Sequence, residues 1–199
     1  VGKVEFAKVY PLDFEEFLMA AGNEGMLNAI KARDWKVVDM LHSKLVHLLK
    51  VYYFVGGMPE VLSCFLDDND FSSAREIQLR LLKSYYDDFS KHPPKEIISK
   101  MQVLWNSIPG QLAKENKKFV FASIKESARA RDYESSIQWL CDAGMIYKVT
   151  RINNAELPLM AFEDLNIFKL FIIDIGLFGA MIGLQAKTIV EGLKENADE

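Results

Sequence analysis

A cluster of basic side chains is the part of this sequence that comes closest to a binding chemistry. Between Gln111 and Arg131 the chain carries six lysines and arginines, and only Glu115 and Glu126 oppose them. Lysine and arginine can displace condensed counterions from nucleic-acid phosphates, which makes such a cluster a candidate phosphate site. The candidate phosphate contacts are Lys114, Lys117, Lys118, Lys125, Arg129 and Arg131.

The residues after this cluster predict an amphipathic helix from about Arg129 to Ala143. Its outward face carries Gln138, an amide that could pair with an adenine edge in a DNA groove. Glu134 and Asp142 lie on or beside the same face, and their charges would repel phosphates. The pattern therefore favours a helix used for protein contacts or as a rigid spacer, with nucleic-acid binding as the alternative.

Side chains suited to catalysis or metal binding do not form a set in this sequence. Asp87 and Asp88 are adjacent on a predicted helix, so their carboxylates point about 100° apart. His42 and His47 are five residues apart, whereas two zinc-binding histidines on one helix face are spaced i, i+4. His92 stands next to two prolines in a predicted turn.

Two further features are predicted to be structural. Gly56 and Gly57 follow a predicted helix and lack the Lys-Ser/Thr of a phosphate loop, which indicates a helix cap. Asp174 precedes an apolar segment and is predicted to cap its helix. We therefore predict no catalytic residue, no metal site, no bound cofactor and no small-molecule substrate for this chain.

Composition narrows the class of protein. The chain has 199 residues with a net charge of −4, so no overall positive field attracts nucleic acid. Its two cysteines are far apart among apolar residues, as expected of thiols in a reducing cytoplasm. The apolar run from Leu165 to Leu184 contains Lys169 and Asp174, which argues against a membrane span, and no secretory leader is recognisable. We expect a cytoplasmic protein without membrane contact.

Residues 1–92 are predicted to be almost entirely helical. Val4 to Tyr10 is an exception, because its β-branched and aromatic residues predict a strand whose sheet lies elsewhere in a longer protein. Asp13 and Glu16 have the spacing of a capping box at the start of the first helix.

Residues 95–184 are predicted to alternate between helix and strand. A helix is predicted from Lys95 to Ser107, and Pro109 should break it. The helix that ends at Ala143 should lead into two strands, Met145–Ile152 and Ile167–Ile173. This order is typical of a winged helix-turn-helix with a small β-ribbon. Residues 185–199 read as a charged tail. The predicted class is thus mainly α, a helical lid-like bundle followed by a winged helix.

Four segments in this order resemble a family of prokaryotic AAA-type P-loop ATPases that carry a conserved C-terminal domain of unknown function. They are PLDFEEFL, GGMPEV, ARARDYESSIQWLCDAGMIYKV and FKLFIIDIGLFGAM. The resemblance implies that residues 1–92 are the end of an ATPase core and a lid-like helical region, and that residues 95–184 are the winged helix.

The resemblance also implies a role. The nucleotide loop GxxxxGK[ST] is absent from the sequence, so ATP and Mg would bind only in a P-loop domain outside it. We expect a non-catalytic C-terminal fragment that couples nucleotide state to partner binding through a protein-interaction module. A protein partner or self-association is expected, and DNA is the alternative partner.

Overall fold

The computed structural model describes residues 2, 5, 7–89, 91, 93–114 and 118–190. Within these residues the protein is mainly helical, with ten α-helices and one antiparallel sheet of two strands. The predicted mainly α class with a small β-ribbon is confirmed at this level. No helix in the described ranges is long and apolar enough to cross a membrane.

The chain divides into two compact units. The first comprises Val1–Leu79 and Asp174–Glu199, and the second comprises Arg80–Ile173. These bounds differ from the predicted ranges 1–92 and 95–184, mainly because the helix after Asp174 returns to the first unit. Of the predicted tail 185–199, residues 191–199 lie outside the described residues.

The first unit is built from short helices whose starts are set by local capping. Asp13 and Glu16 form the predicted capping box, in which each side chain accepts the other residue's backbone N–H at 2.9 Å. Pro59 occupies the first turn of its helix, where a missing N–H costs no hydrogen bond. The helices are α1 (Phe14–Ala20), α2 (Glu24–Lys31), α3 (Trp35–Met40), α4 (His42–Val55), α5 (Pro59–Asp68), the first part of α6 (Phe71–Asp88), α9 (Ile175–Met181) and α10 (Ala186–Val190).

Apolar faces of these helices bury one another. A cluster around Leu18, Leu27 and Leu45 joins α1, α2 and α4. Farther along α4, Phe54 and Val55 are buried together with apolar residues of α5 and α9. This packing places the C-terminus of α4 in the interior of the unit.

The second unit contains α7 (Lys95–Leu112), α8 (Ala130–Asp142) and the strands β1 (Ile146–Ile152) and β2 (Glu163–Ile172). The strands pair antiparallel from Ile146 opposite Ile172 to Thr150 opposite Phe168, and a bulge then shifts the register. Inward residues of the ribbon pack on α7 and α8 around Leu104, Leu140 and Leu170, which are almost fully buried.

One local prediction is wrong. The helix predicted from Lys95 to Ser107 is not broken at Pro109, and α7 continues to Leu112. Pro109 lies in its last turn and is buried, so packing outweighs the hydrogen bond that proline cannot make. The strand from Val4 to Tyr10 stays a prediction, because its sheet is expected outside this sequence. Within the sequence its described residues form no strand, and Val9 is 89% exposed. Val4 and Phe6 lie outside the described residues.

Candidate functional site

The predicted basic cluster is divided between separate places in the second unit. Lys118 lines a groove of about 590 Å³ beside the β-ribbon. The apolar residues that line this ribbon groove are Val149, Ile167 and Phe168, which we call its floor, and its other cations are Arg151 and Lys169. Sequence reasoning missed these two cations, although each lies within or next to a predicted strand. The observed register places Lys169 opposite Val149.

Arg131 and Gln138 line a second groove, of about 310 Å³, between α8 and β2. This helix groove also contains Glu134, and its floor includes Phe121 and Ile137. The Gln138 amide donates to the Asp142 carboxylate one turn farther along α8, at 2.7 Å. A base contact by Gln138 would have to compete with that bond.

Three other predicted phosphate contacts line neither groove. Lys114 is exposed and donates to the Ser123 hydroxyl at 2.9 Å. Lys125 and Arg129 are exposed in the segment that leads into α8. Lys117 lies outside the described residues. Among the five described cations, Lys118 and Arg131 line different grooves.

The bulge in the ribbon and the segment before α8 shape the ribbon groove. Because the register shifts after Thr150, residues 165–167 of β2 have no direct partner on β1. On the other side of β2, the Phe119 N–H donates to the Phe168 carbonyl at 2.8 Å, which holds Lys118 beside the strand. The Phe119 and Phe168 rings stack at 5.6 Å.

Charge in the ribbon groove is partly compensated. Arg151 donates to Asp164 at 2.8 Å, and both side chains retain contact with solvent. Lys148 lies on the core side of the ribbon with its ammonium 4.7 Å from the centre of the Phe168 ring, a cation–π contact. The described residues that line this groove include three cations and no acid, and Asp164, which pairs with Arg151, is the acid that partly offsets them.

The first unit holds a different cluster, which we call the glycine–aspartate joint: Gly56, Gly57, Asp174 and Gly176. The Asp174 carboxylate is 4% exposed. One of its oxygens accepts the Gly57 N–H at 2.7 Å, and the other accepts the Leu177 N–H at 2.8 Å. The predicted helix cap at Asp174 is confirmed, and the same side chain also ties α9 to the turn after α4.

Neighbouring atoms approach the backbone so closely at the three glycines of the joint that a side chain would not fit. Gly56 ends α4 with a φ of 76°, which side-chain-bearing residues rarely adopt. A Cβ there would collide with both carboxylate oxygens of Asp174. At Gly57 it would meet the backbone of Leu12, and at Gly176 the carbonyl of Val55. These positions have no room for a side chain.

Neighbouring polar side chains close off the end of α4. The Gln78 amide is fully buried and donates to the carbonyls of Phe54 and Val55 at 2.8 and 2.9 Å. Arg75 stacks on the Phe54 ring at 4.3 Å and donates to the Leu184 carbonyl. The last carbonyls of a helix lack partners within it, and these contacts provide some of them.

Burial dominates the electrostatics of the joint. It raises the pKa of Asp174, while N–H groups of Gly57, Leu177, Gly176 and Ile175 favour the charged form and limit the rise. Burial, reinforced by the negative charge of Asp174, raises the pKa of Tyr52 to about 12. The Tyr52 hydroxyl donates to the Leu12 carbonyl at 2.9 Å. The described contacts of Asp174 are thus those of a structural group.

Among the residues that the structure describes, neither the thiols nor the metal-binding side chains form a further candidate site. Burial raises the pKa of Cys64 and of Cys141, so neither is poised as a thiolate nucleophile. Within the described ranges, no three His, Cys, Asp or Glu side chains cluster in a way that could hold a metal ion.

Comparison with known proteins assigns the chain to one protein family. No curated protein and no solved structure matches the chain significantly. A family model described as a domain of unknown function (DUF8612) matches residues 46–188, more than half of the chain. The matched range contains the glycine–aspartate joint and the whole ribbon. The chain therefore belongs to the DUF8612 family.

Proposed function

We propose that the second unit is a winged helix-turn-helix that contacts a protein partner. We further propose that the chain is the non-catalytic C-terminal part of an AAA-type ATPase, in which it couples nucleotide state to that contact. The support comes from the order of elements in the second unit, from its exposed apolar residues and from the four sequence segments that resemble the ATPase family.

The order of elements supports the winged helix. α7, the 3₁₀ turn Phe121–Ser123 and α8 stand where the three helices of this motif are expected, and β1 and β2 follow as the wing. The segment before the turn also bonds to β2 through Phe119, as the short first strand of a winged helix would. The middle helix is reduced to a single 3₁₀ turn, which departs from the usual motif.

The main support for a protein contact is the exposure of apolar side chains on the proposed wing. The wing loop, residues 153–162, holds Leu157 at 88% and Met160 at 81% exposure, and Leu165 beside it is 64% exposed. Large apolar side chains that stay exposed in one short segment are candidates for an interaction surface. A wing that contacts phosphates would carry lysine or arginine at these positions.

Light scattering over a dilution series tests whether these residues mediate protein contact. We expect the mass of the 199-residue chain to rise with concentration, and L157S/M160S to remain a monomer. Val103→Ser provides a matched control, since Val103 is 46% exposed on α7 of the same unit. A wild-type monomer at every concentration would contradict self-association through the wing.

The proposed ATPase context has its own test. The gene sequence upstream of Val1 should encode a GxxxxGK[ST] loop between a strand and a helix. Its absence there would refute the coupling role, while a protein contact by the second unit would still stand.

Nucleic-acid binding is the second candidate, and the positive charge of the ribbon groove favours it. Titration with duplex DNA at several salt concentrations distinguishes the two. A phosphate-binding surface that uses three cations should give a slope of log K against log salt of about −2.7. We expect no measurable salt-dependent binding.

A further inference from the structure

We propose that the ribbon groove binds an acidic peptide segment with apolar anchor residues. This inference rests on the proposed protein contact and names the chemistry of the partner. It combines three observations: the groove's cations, its apolar floor and its size.

The cations that line the groove favour a negatively charged ligand. Lys118, Arg151 and Lys169 line the groove, and its described lining residues include no acid. The chain as a whole carries a net charge of −4, so this positive surface is local rather than part of a basic protein. Complementary charge across an interface guides association and excludes partners of the wrong sign. Carboxylates are therefore the expected polar groups of the occupant.

The apolar residues of the groove favour a peptide that also has apolar side chains. Val149, half of whose surface is exposed, lines the groove together with Ile167 and Phe168. Protein–protein interfaces combine apolar side chains with polar and charged ones in this way. Hot-spot side chains bind by filling such recesses. The volume of about 590 Å³ lies within the range of ligand sites, which is about 300–1,000 Å³.

The apolar lining of the groove argues against a nucleic acid as the occupant. A sugar–phosphate backbone offers no apolar side chain to cover Val149 and Ile167. An extended peptide that alternates acidic and aliphatic residues satisfies both the cations and the floor.

Fluorescence anisotropy with defined probes tests this inference on the full chain. The first probe is a labelled ten-residue peptide of alternating Glu and Leu. The comparison probes are the Lys–Leu peptide of the same length, a ten-residue poly-Glu peptide and a twelve-base-pair duplex DNA. We expect the Glu–Leu peptide to bind more tightly than poly-Glu, and the Lys–Leu peptide not to bind.

Variants locate the site. Lys169→Glu should weaken Glu–Leu binding about tenfold, because it reverses a charge in the groove. Val149→Ser should weaken it by a similar factor through the floor. Lys125→Glu is the matched control, since Lys125 is exposed in the same unit but lines neither groove. Melting temperatures should be alike in all variants.

Each contrary result has a defined meaning. Absence of Glu–Leu binding, or equal losses from Lys169→Glu and Lys125→Glu, overturns the inference. If wing-dependent self-association persists in light scattering, the proposed protein contact survives that failure. Salt-dependent binding of the duplex alone, lost in Lys169→Glu, overturns the inference and favours the nucleic-acid alternative.

Discussion

The glycine–aspartate joint and the ribbon groove both contain residues with chemical potential, but they differ in access to solvent. At the joint, the Asp174 carboxylate is 4% exposed and its oxygens are used by backbone N–H groups. In the ribbon groove, Val149 is 51% exposed and the cations reach water. A buried carboxylate such as that of Asp174 can act only on the stability of the fold, whereas a binding site needs side chains that are exposed to solvent.

The largest effect is expected from adding a methyl group at the joint. Gly56→Ala should lower the free energy of unfolding by about 3–5 kcal/mol, since backbone strain at positive φ and a clash with Asp174 add together. Gly25→Ala is the control, because Gly25 lies in α2 with open space around its Cα. That change should raise stability by about 0.4–1 kcal/mol. Urea unfolding measures both, and equal effects would contradict a tightly packed joint.

Removal of the carboxylate should have the next largest effect. Asp174→Ala leaves the N–H groups of Gly57 and Leu177 without their buried acceptor, which should cost about 2–4 kcal/mol. Asp34→Ala removes an exposed cap of α3 that accepts from Val37 at 3.3 Å, and should cost about 0.5–1 kcal/mol. If both losses were equal in chemical denaturation, Asp174 would be only an ordinary helix cap.

Local patterns explain which parts of the fold the sequence predicts. The capping box at Asp13, the glycine end of α4 and the cap at Asp174 each depend on residues within a few positions, so their chemistry is readable from spacing. The bond from Gly57 to Asp174 joins residues 117 positions apart, and no local pattern encodes it. The helix prediction fails at Pro109 for a related reason, since the burial of this proline depends on tertiary packing.

The candidate binding site was predictable only in part. Basic residues near Lys118 were recognised, but the chain path after α7 carries them to different places. Arg151 and Lys169 enter the same groove because of strand register and a bulge, which a count of charges along the sequence does not reveal.

A smaller effect is expected from pH. The pKa of Asp174 is raised in the folded state, so the folded protein holds its proton to higher pH than the unfolded chain. This contribution to stability is fully present below the unfolded pKa of about 3.9 and is lost as pH rises through the folded pKa. Wild type should therefore lose stability relative to Asp174→Asn as pH rises from about 4. Parallel pH profiles of the two proteins would show that burial does not affect this carboxyl.

The smallest effect on stability is expected in the loop between β1 and β2, residues 153–162. L157S/M160S changes exposed side chains, so the free energy of unfolding should stay within about 0.5 kcal/mol of wild type. Thermal melting followed by circular dichroism measures this. A loss comparable to that of Asp174→Ala would mean that the wing loop contributes to the core and is not a free surface.

Amide hydrogen exchange with and without the Glu–Leu peptide tests the contrast between the two regions most directly. The account predicts slow exchange at Gly57 and Leu177 that the peptide does not change, together with new protection of amides in β1 and β2 when the peptide is added. Rapid exchange at Gly57, or protection that appears at the joint and not at the ribbon, would contradict it.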